Sequence, residues 1–192
     1  MRHDRTVIGY HGCDAAVADR LLAGQSFKPS DNDFDWLGSG VYFWEYGADR
    51  AMRFAMEQCA RGKVATPAIV GAVLQLGRCF DLLDTRFTGD LAAEYAAWEA
   101  IMREAAIPLP VNAGAAPDHK LRRLDCAVVN WALGMQVRRG GVAFDSVRGG
   151  FVEGERAFPG SGIYKETHVQ IAIRNQECIL GVFRPSTHGA TS

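Results

Sequence analysis

Apolar positions come first in short runs, then at helical spacing, then in runs again. Val7-Ile8-Gly9-Tyr10-His11-Gly12 is a brief apolar stretch ended by glycine, which predicts a buried strand. Asp14 follows as an N-cap, Val17, Leu21 and Leu22 recur at helical spacing, and Gly24 closes the helix. Gln25 to Asp35 is polar, holds Pro29 and reads as a surface loop. Leu37-Gly38-Ser39-Gly40 then leads into Val41-Tyr42-Phe43-Trp44, an aromatic run suited to a strand. A helix is expected from Ala48 to Arg61, stopped by Gly62. Pro67 opens a strand-like run over Ala68 to Leu76, which Gly77 breaks before Phe80-Asp81-Leu82-Leu83-Asp84.

The middle of the chain changes period. Leu91, Tyr95, Trp98 and Met102 form one helical stripe, with Glu99 and Arg103 placed to pair one turn apart. Ile107 to Pro117 holds three prolines and reads as a loop. Leu121, Leu124, Val128, Trp131 and Met135 form a second stripe, started by Asp118, with Asp125 paired to Arg122. Strand character returns at Val142-Ala143-Phe144, at Phe151-Val152, at Val169 to Ile173 and at Cys178 to Phe183. Strands and short helices, then a helical block, then strands predict one α+β domain over 1–192, with a helical insertion at about 85–140.

Composition narrows the class without naming a function. The 192 residues are 48 % apolar and 22 % charged, an ordinary globular balance. Twenty-one Lys and Arg against 22 Asp and Glu leave a net charge of −1, so no global basic field draws the chain to nucleic acid or a membrane. Five cysteines (Cys13, Cys59, Cys79, Cys126, Cys178) are spread widely with no C-x-x-C, which argues against a disulfide framework or zinc knuckle. No signal peptide or bilayer-spanning run is read, so a cytoplasmic protein is expected, with a secreted effector as the alternative.

The common catalytic signatures are missing. There is no P-loop, no third glycine after Gly38-Ser39-Gly40, no H-E-x-x-H and no G-x-S-x-G. His3, His11, His119, His168 and His188 lie too far apart for a local ligand pair, so no metal is expected.

Three segments together resemble the ADP-ribosyltransferase superfamily, in its diphtheria-toxin and poly(ADP-ribose) polymerase branch. They are the strand ending in Tyr10-His11-Gly12, the Leu37-Gly38-Ser39-Gly40-Val41-Tyr42-Phe43 segment, and Gln170-Ile171-Ala172-Ile173-Arg174-Asn175 running on to Ile179. The resemblance covers both ends of the chain and the 68–84 strand, but not the central helices. It implies a split fold of two small sheets around a cleft for NAD⁺, which serves as co-substrate.

Cleaving the nicotinamide–ribose bond develops positive charge on the ribose, so a site needs a flat wall, a donor to the sugar and an acceptor near the cationic carbon. On the resemblance, Tyr42 stacks on nicotinamide, His11 donates to ribose hydroxyls and the Gly12 backbone holds the nicotinamide amide. Gln170 bonds the nicotinamide ribose, Ser39 contacts the cofactor, and Phe54 is a second stacking ring, one residue later than the family spacing, where Arg53 stands. Those relatives carry glutamate where this chain has Gln170, which lacks the negative charge and weighs against polymer formation. Glu166 is the alternative acid, on one strand face with His168 and Gln170 if the strand begins that early. His168 replaces the glutamate of arginine-specific members and turns the reading away from arginine targets.

The implied activity is mono-ADP-ribosyl transfer to a macromolecular acceptor, protein or nucleic acid, by a bacterial toxin or effector. An inhibitor or antitoxin protein is a further partner class. The alternatives are NAD⁺ hydrolysis and a catalytically silent module that binds NAD⁺ or ADP-ribose.

Overall fold

The computed structural model describes residues 3–114 and 121–186; Asp118, His119 and His188 lie outside them. The elements are β1 (His3–Asp14), α1 (Ala15–Leu22), β2 (Val41–Glu45), α2 (Ala48–Ala60), β3 (Pro67–Gly77), β4 (Cys79–Asp81), α3 (Thr85–Glu104), α4 (Arg123–Arg138), β5 (Ser146–Phe151), β6 (His168–Ile173) and β7 (Ile179–Phe183). This is an α+β chain in which β4 and β5 run parallel and the other paired strands antiparallel.

Local chemistry accounts for several boundaries. One Asp14 oxygen accepts from Ala16 N at 2.9 Å and caps α1, while the other accepts from Ala65 and Thr66 at 2.7 and 3.1 Å. A single carboxylate thus starts a helix and anchors the entry to β3. Gly24, at φ 93°, takes the left-handed turn that ends the first helical unit. Helices fill 85–104 and 123–138, with Trp98 and Trp131 at 6.2 Å between them. The Glu99–Arg103 and Arg122–Asp125 pairs form at 3.1 and 3.2 Å.

One strand expectation is corrected. Val142-Ala143-Phe144 joins no ladder, and β5 starts at Ser146. Phe144 packs instead edge-on against Phe80 and Phe87, at 5.2 and 5.9 Å, so its ring serves the core and not a sheet face.

The expectation of two separate sheets is also corrected, and the correction is informative. All seven strands join one sheet in the order β4-β5-β6-β2-β1-β3-β7. Its middle is narrow: β1 and β2 share only the pairs Gly9↔Glu45 and Tyr10↔Trp44. Beyond them β1 continues alongside β3 as far as Asp14↔Pro67, while Val41 to Trp44 pair with β6. The sheet therefore splays at a two-pair waist, beside which His11 and Tyr42 lie.

Two apolar cores sit against it. Val7, Leu21, Phe27, Val41, Phe43, Leu74, Ile171 and Ile173 belong to one, in which α1 takes part. Leu37, Phe80, Val129, Leu133, Val147 and Ala172 form the other, with α4. Val41 and Phe43 enter the first while Tyr42 packs against the second, as strand alternation requires. Among the described residues no helix is long and apolar enough to cross a membrane.

Candidate functional site

The splay explains the position of His11. Had β1 and β2 stayed in register, His11 would face Phe43 across a ladder; instead its imidazole turns into the first core beside Phe27 and Phe43. Its Nδ1 lies 2.8 Å from the Tyr42 carbonyl oxygen, so the side chain makes a link that the backbone no longer makes. The ring packs on Phe27 at 5.4 Å and Phe43 at 5.7 Å. Burial lowers its pKa below the usual value of 6.5, against the Tyr42 carbonyl, which raises it.

Gly12, one residue on, points the other way. A methyl group there would collide with the Ala51 carbonyl of α2. The bare Cα is thus required for the helix to seat on β1, whatever else its backbone holds.

Tyr42, Trp44, His168 and Gln170 share one sheet face, since Trp44 opposes Gln170 and Tyr42 opposes Ala172. The Tyr42 hydroxyl donates to the Gly38 carbonyl at 2.8 Å and accepts from Leu37 N at 2.9 Å. Burial, and then Asp35, push its pKa well above 10, so it stays a neutral phenol. Gln170 is held at both ends: Oε1 accepts from the Trp36 indole at 2.7 Å, and Nε2 lies 3.1 Å from His168 Nε2.

Two helices flank this face. From α2, Phe54 packs on Trp44 at 5.1 Å and the Arg50 guanidinium lies 5.7 Å over the same indole. From the start of α4, Arg122 lies 4.5 Å over Phe151, which packs on Trp36 and His168 at 5.1 and 5.3 Å. Arg50 donates to Glu153 at 2.8 Å, and both are buried.

The sequence candidates are thus brought together in part. Tyr42 and Gln170 are close neighbours on adjacent strands, with Phe54 beyond Trp44. His11 is joined to Tyr42 through the backbone, with its ring in the core on the opposite face. Glu166 precedes β6, so its carboxylate is not part of the strand face; it pairs with Arg53 at 3.4 Å while its carbonyl meets His168 Nδ1. Ser39 stands apart from that face. Its hydroxyl donates to Asp31, and it lines a pocket of about 430 Å³ with Asn130, Leu133, Phe144 and Arg174. A second pocket, about 310 Å³, lies beneath Phe27 and Gln176. Neither is lined by His11, Tyr42 or Gln170.

Trp36, Arg50 and Glu153 escape sequence reading. Arg50 sits one helical turn before Phe54, a spacing that gave a usable hint; Glu153 lies in a glycine-rich stretch that gave none. Among the described residues no group of three or more His, Cys, Asp or Glu is placed to hold a metal.

No protein-family model matches this chain, and no solved structure matches it. Over 36 residues it is 42 % identical to an uncharacterized protein of Methanocaldococcus jannaschii, a match spanning 19 % of this chain and 17 % of that protein.

Proposed function

We propose that the protein binds NAD⁺ at the splayed waist of its sheet and transfers single ADP-ribose units to a macromolecular acceptor. The observation that carries this reading is the junction itself: β1 and β2 part, His11 bridges to the Tyr42 carbonyl, and Gln170 lies beside Tyr42 on the next strand. Stated as roles, the Tyr42 ring forms the wall for nicotinamide, while His11, whose ring lies on the opposite face, holds the Tyr42 backbone in place. Gln170 offers a carboxamide to the nicotinamide ribose, where charge grows as the glycosidic bond breaks. Nicotinamide leaves neutral, and the acceptor's nucleophile takes the anomeric carbon. One feature favours a second reading, a module that binds NAD⁺ without turnover: Gln170 brings no negative charge to an oxocarbenium-like sugar.

Incubation with labelled NAD⁺ and a cell lysate tests both. Label on a defined macromolecule together with nicotinamide release supports transfer, and Tyr42→Ala should cut that release at least about a hundredfold. Nicotinamide release without labelled macromolecule assigns the site to hydrolysis. Saturable NAD⁺ binding with no release supports the silent module. No binding and no release overturn the proposal.

A further inference from the structure

The hydrogen bonds around Gln170 have only one consistent assignment. The Trp36 indole nitrogen can only donate, so the Gln170 atom 2.7 Å away is the acceptor Oε1. The amide nitrogen then faces His168 Nε2 at 3.1 Å, and because an NH₂ group can only donate, Nε2 must present a lone pair. Across the ring, Nδ1 lies 2.7 Å from the Glu166 carbonyl oxygen, which can only accept, so Nδ1 carries the proton. Two single-role groups, an indole N–H and a backbone C=O, fix both the amide rotamer and the imidazole tautomer.

We infer that His168 is a positioning residue that holds the Gln170 carboxamide in one orientation through its neutral, Nδ1-protonated form, and that this strand face is built for an amide at position 170. The assignment of a role to Gln170 in turnover rests on the NAD⁺ reading; the relay from Trp36 through Gln170 to His168 does not. A proton added to His168 Nε2 sets two donors against each other. Flipping the amide gives no escape, because its NH₂ would then face the Trp36 N–H. A carboxylate at 170 reverses the logic: it accepts from Trp36 and needs a donor from His168, which only Nε2 protonation supplies.

The charged groups facing His168 come from every neighbouring segment. Glu153, after β5, has Oε2 4.0 Å from Nδ1 and accepts from Arg50 of α2; Glu166 precedes β6 and pairs with Arg53. Arg122, at the start of α4, reaches the Phe151 ring that packs on the imidazole. Burial lowers the His168 pKa below 6.5, assisted by Arg50 and opposed by the Glu166 carbonyl, Glu153 and the Glu166 carboxylate. The neutral form is therefore the resting one near neutrality.

Nitrogen-detected NMR of the full chain across a pH titration decides the matter. The expected result is an unprotonated His168 Nε2 at neutral pH, with the Gln170 NH₂ and Trp36 indole signals shifting together as His168 titrates. Gln170→Glu should raise the His168 pKa by at least about one unit, whereas His168→Gln, a neutral acceptor, should remove the pH response and leave the Gln170 signals dispersed. A protonated Nε2 at neutral pH, Gln170 signals indifferent to the His168 titration, or no rise in Gln170→Glu would each overturn the inference. NAD⁺ turnover is the separate arm. If the wild type turns over, His168→Gln should flatten the acid limb of kcat, and an unflattened limb counts against the positioning role. A wild type that neither binds nor cleaves NAD⁺ sinks the transferase reading alone, since the tautomer and the paired shifts are read without it.

Discussion

Two buried arginines show how differently this molecule uses the same side chain. Arg148, on β5, engages all three of its nitrogens: Nε and Nη2 donate to Glu45 at 2.5 and 3.1 Å, and Nη1 donates to Asp81 at 3.1 Å. Burial works against its charge, and the two carboxylates outweigh that and raise its pKa. It ties β5, β2 and β4 together and has no nitrogen to spare. Arg50, on α2, donates from Nη2 to Glu153, while Nε and Nη1 are buried with no hydrogen-bond partner among the described residues; Nη1 comes only within 3.9 Å of Glu57. The Trp44 indole beside it likewise has no acceptor among the described residues. Buried donors left open cost about 1–3 kcal/mol each unless solvent or a bound molecule supplies an acceptor. A saturated network is architecture. An unsaturated one leaves donors open on the Trp44 side of the sheet.

The largest test of that contrast is Arg148→Met, which strands two carboxylates and should lower unfolding free energy by about 3–5 kcal/mol in urea titrations. Arg50→Met removes one cation from one carboxylate and should cost about 2–3 kcal/mol by the same measurement. Equal losses would erase the distinction between the two networks. Trp36→Phe keeps the ring on Phe151 and deletes only the donor to Gln170, so stability should fall by about 1 kcal/mol. Its nicotinamide release, on the NAD⁺ reading, should fall by at least about tenfold, a ratio that separates site chemistry from packing.

The smallest effect is a pH slope. His11 and His168 both have pKa values lowered by burial, so the unfolded chain binds more protons than the folded one below about pH 6.5. The stability they contribute is complete above that value and is lost as pH falls through their folded values. Urea midpoints should therefore drop between about pH 7 and about pH 5, and the drop should shrink in His168→Gln.

How much of this was legible in the residues depended on the range of the cause. Asp14 as a cap, the α2 span and the presence of two central helices follow from spacing and capping within one helical turn. The second of those helices begins at Arg123 with no side-chain cap, after Leu121 has paired with Ala113 in a β-bridge, and not at Asp118 as expected. Strand alternation accounts for Tyr42 and Phe43 lying on opposite faces. The waist was not legible, because nothing local to Gly9 or Trp44 says that their strands pair for two residues and then part. Val142 to Phe144 misled because an apolar triplet has no period long enough to tell a strand from a packing plug. In the site, Gln170 and Tyr42 stood out by their order along the chain. Trp36, Arg50 and Glu153 are joined to them only by folding, across separations such as the 134 residues between Trp36 and Gln170.

The two-pair seam between β1 and β2 has a mechanical consequence. Within the sheet, twist passes between β1 and β2 through a pair of rungs and an imidazole, while the shared core and the Ser146 hydroxyl, which donates to the Leu76 carbonyl at 2.6 Å, tie the two halves together away from that seam. A histidine in such a place acts as a rivet, and its replacement would loosen the seam where the two strands part.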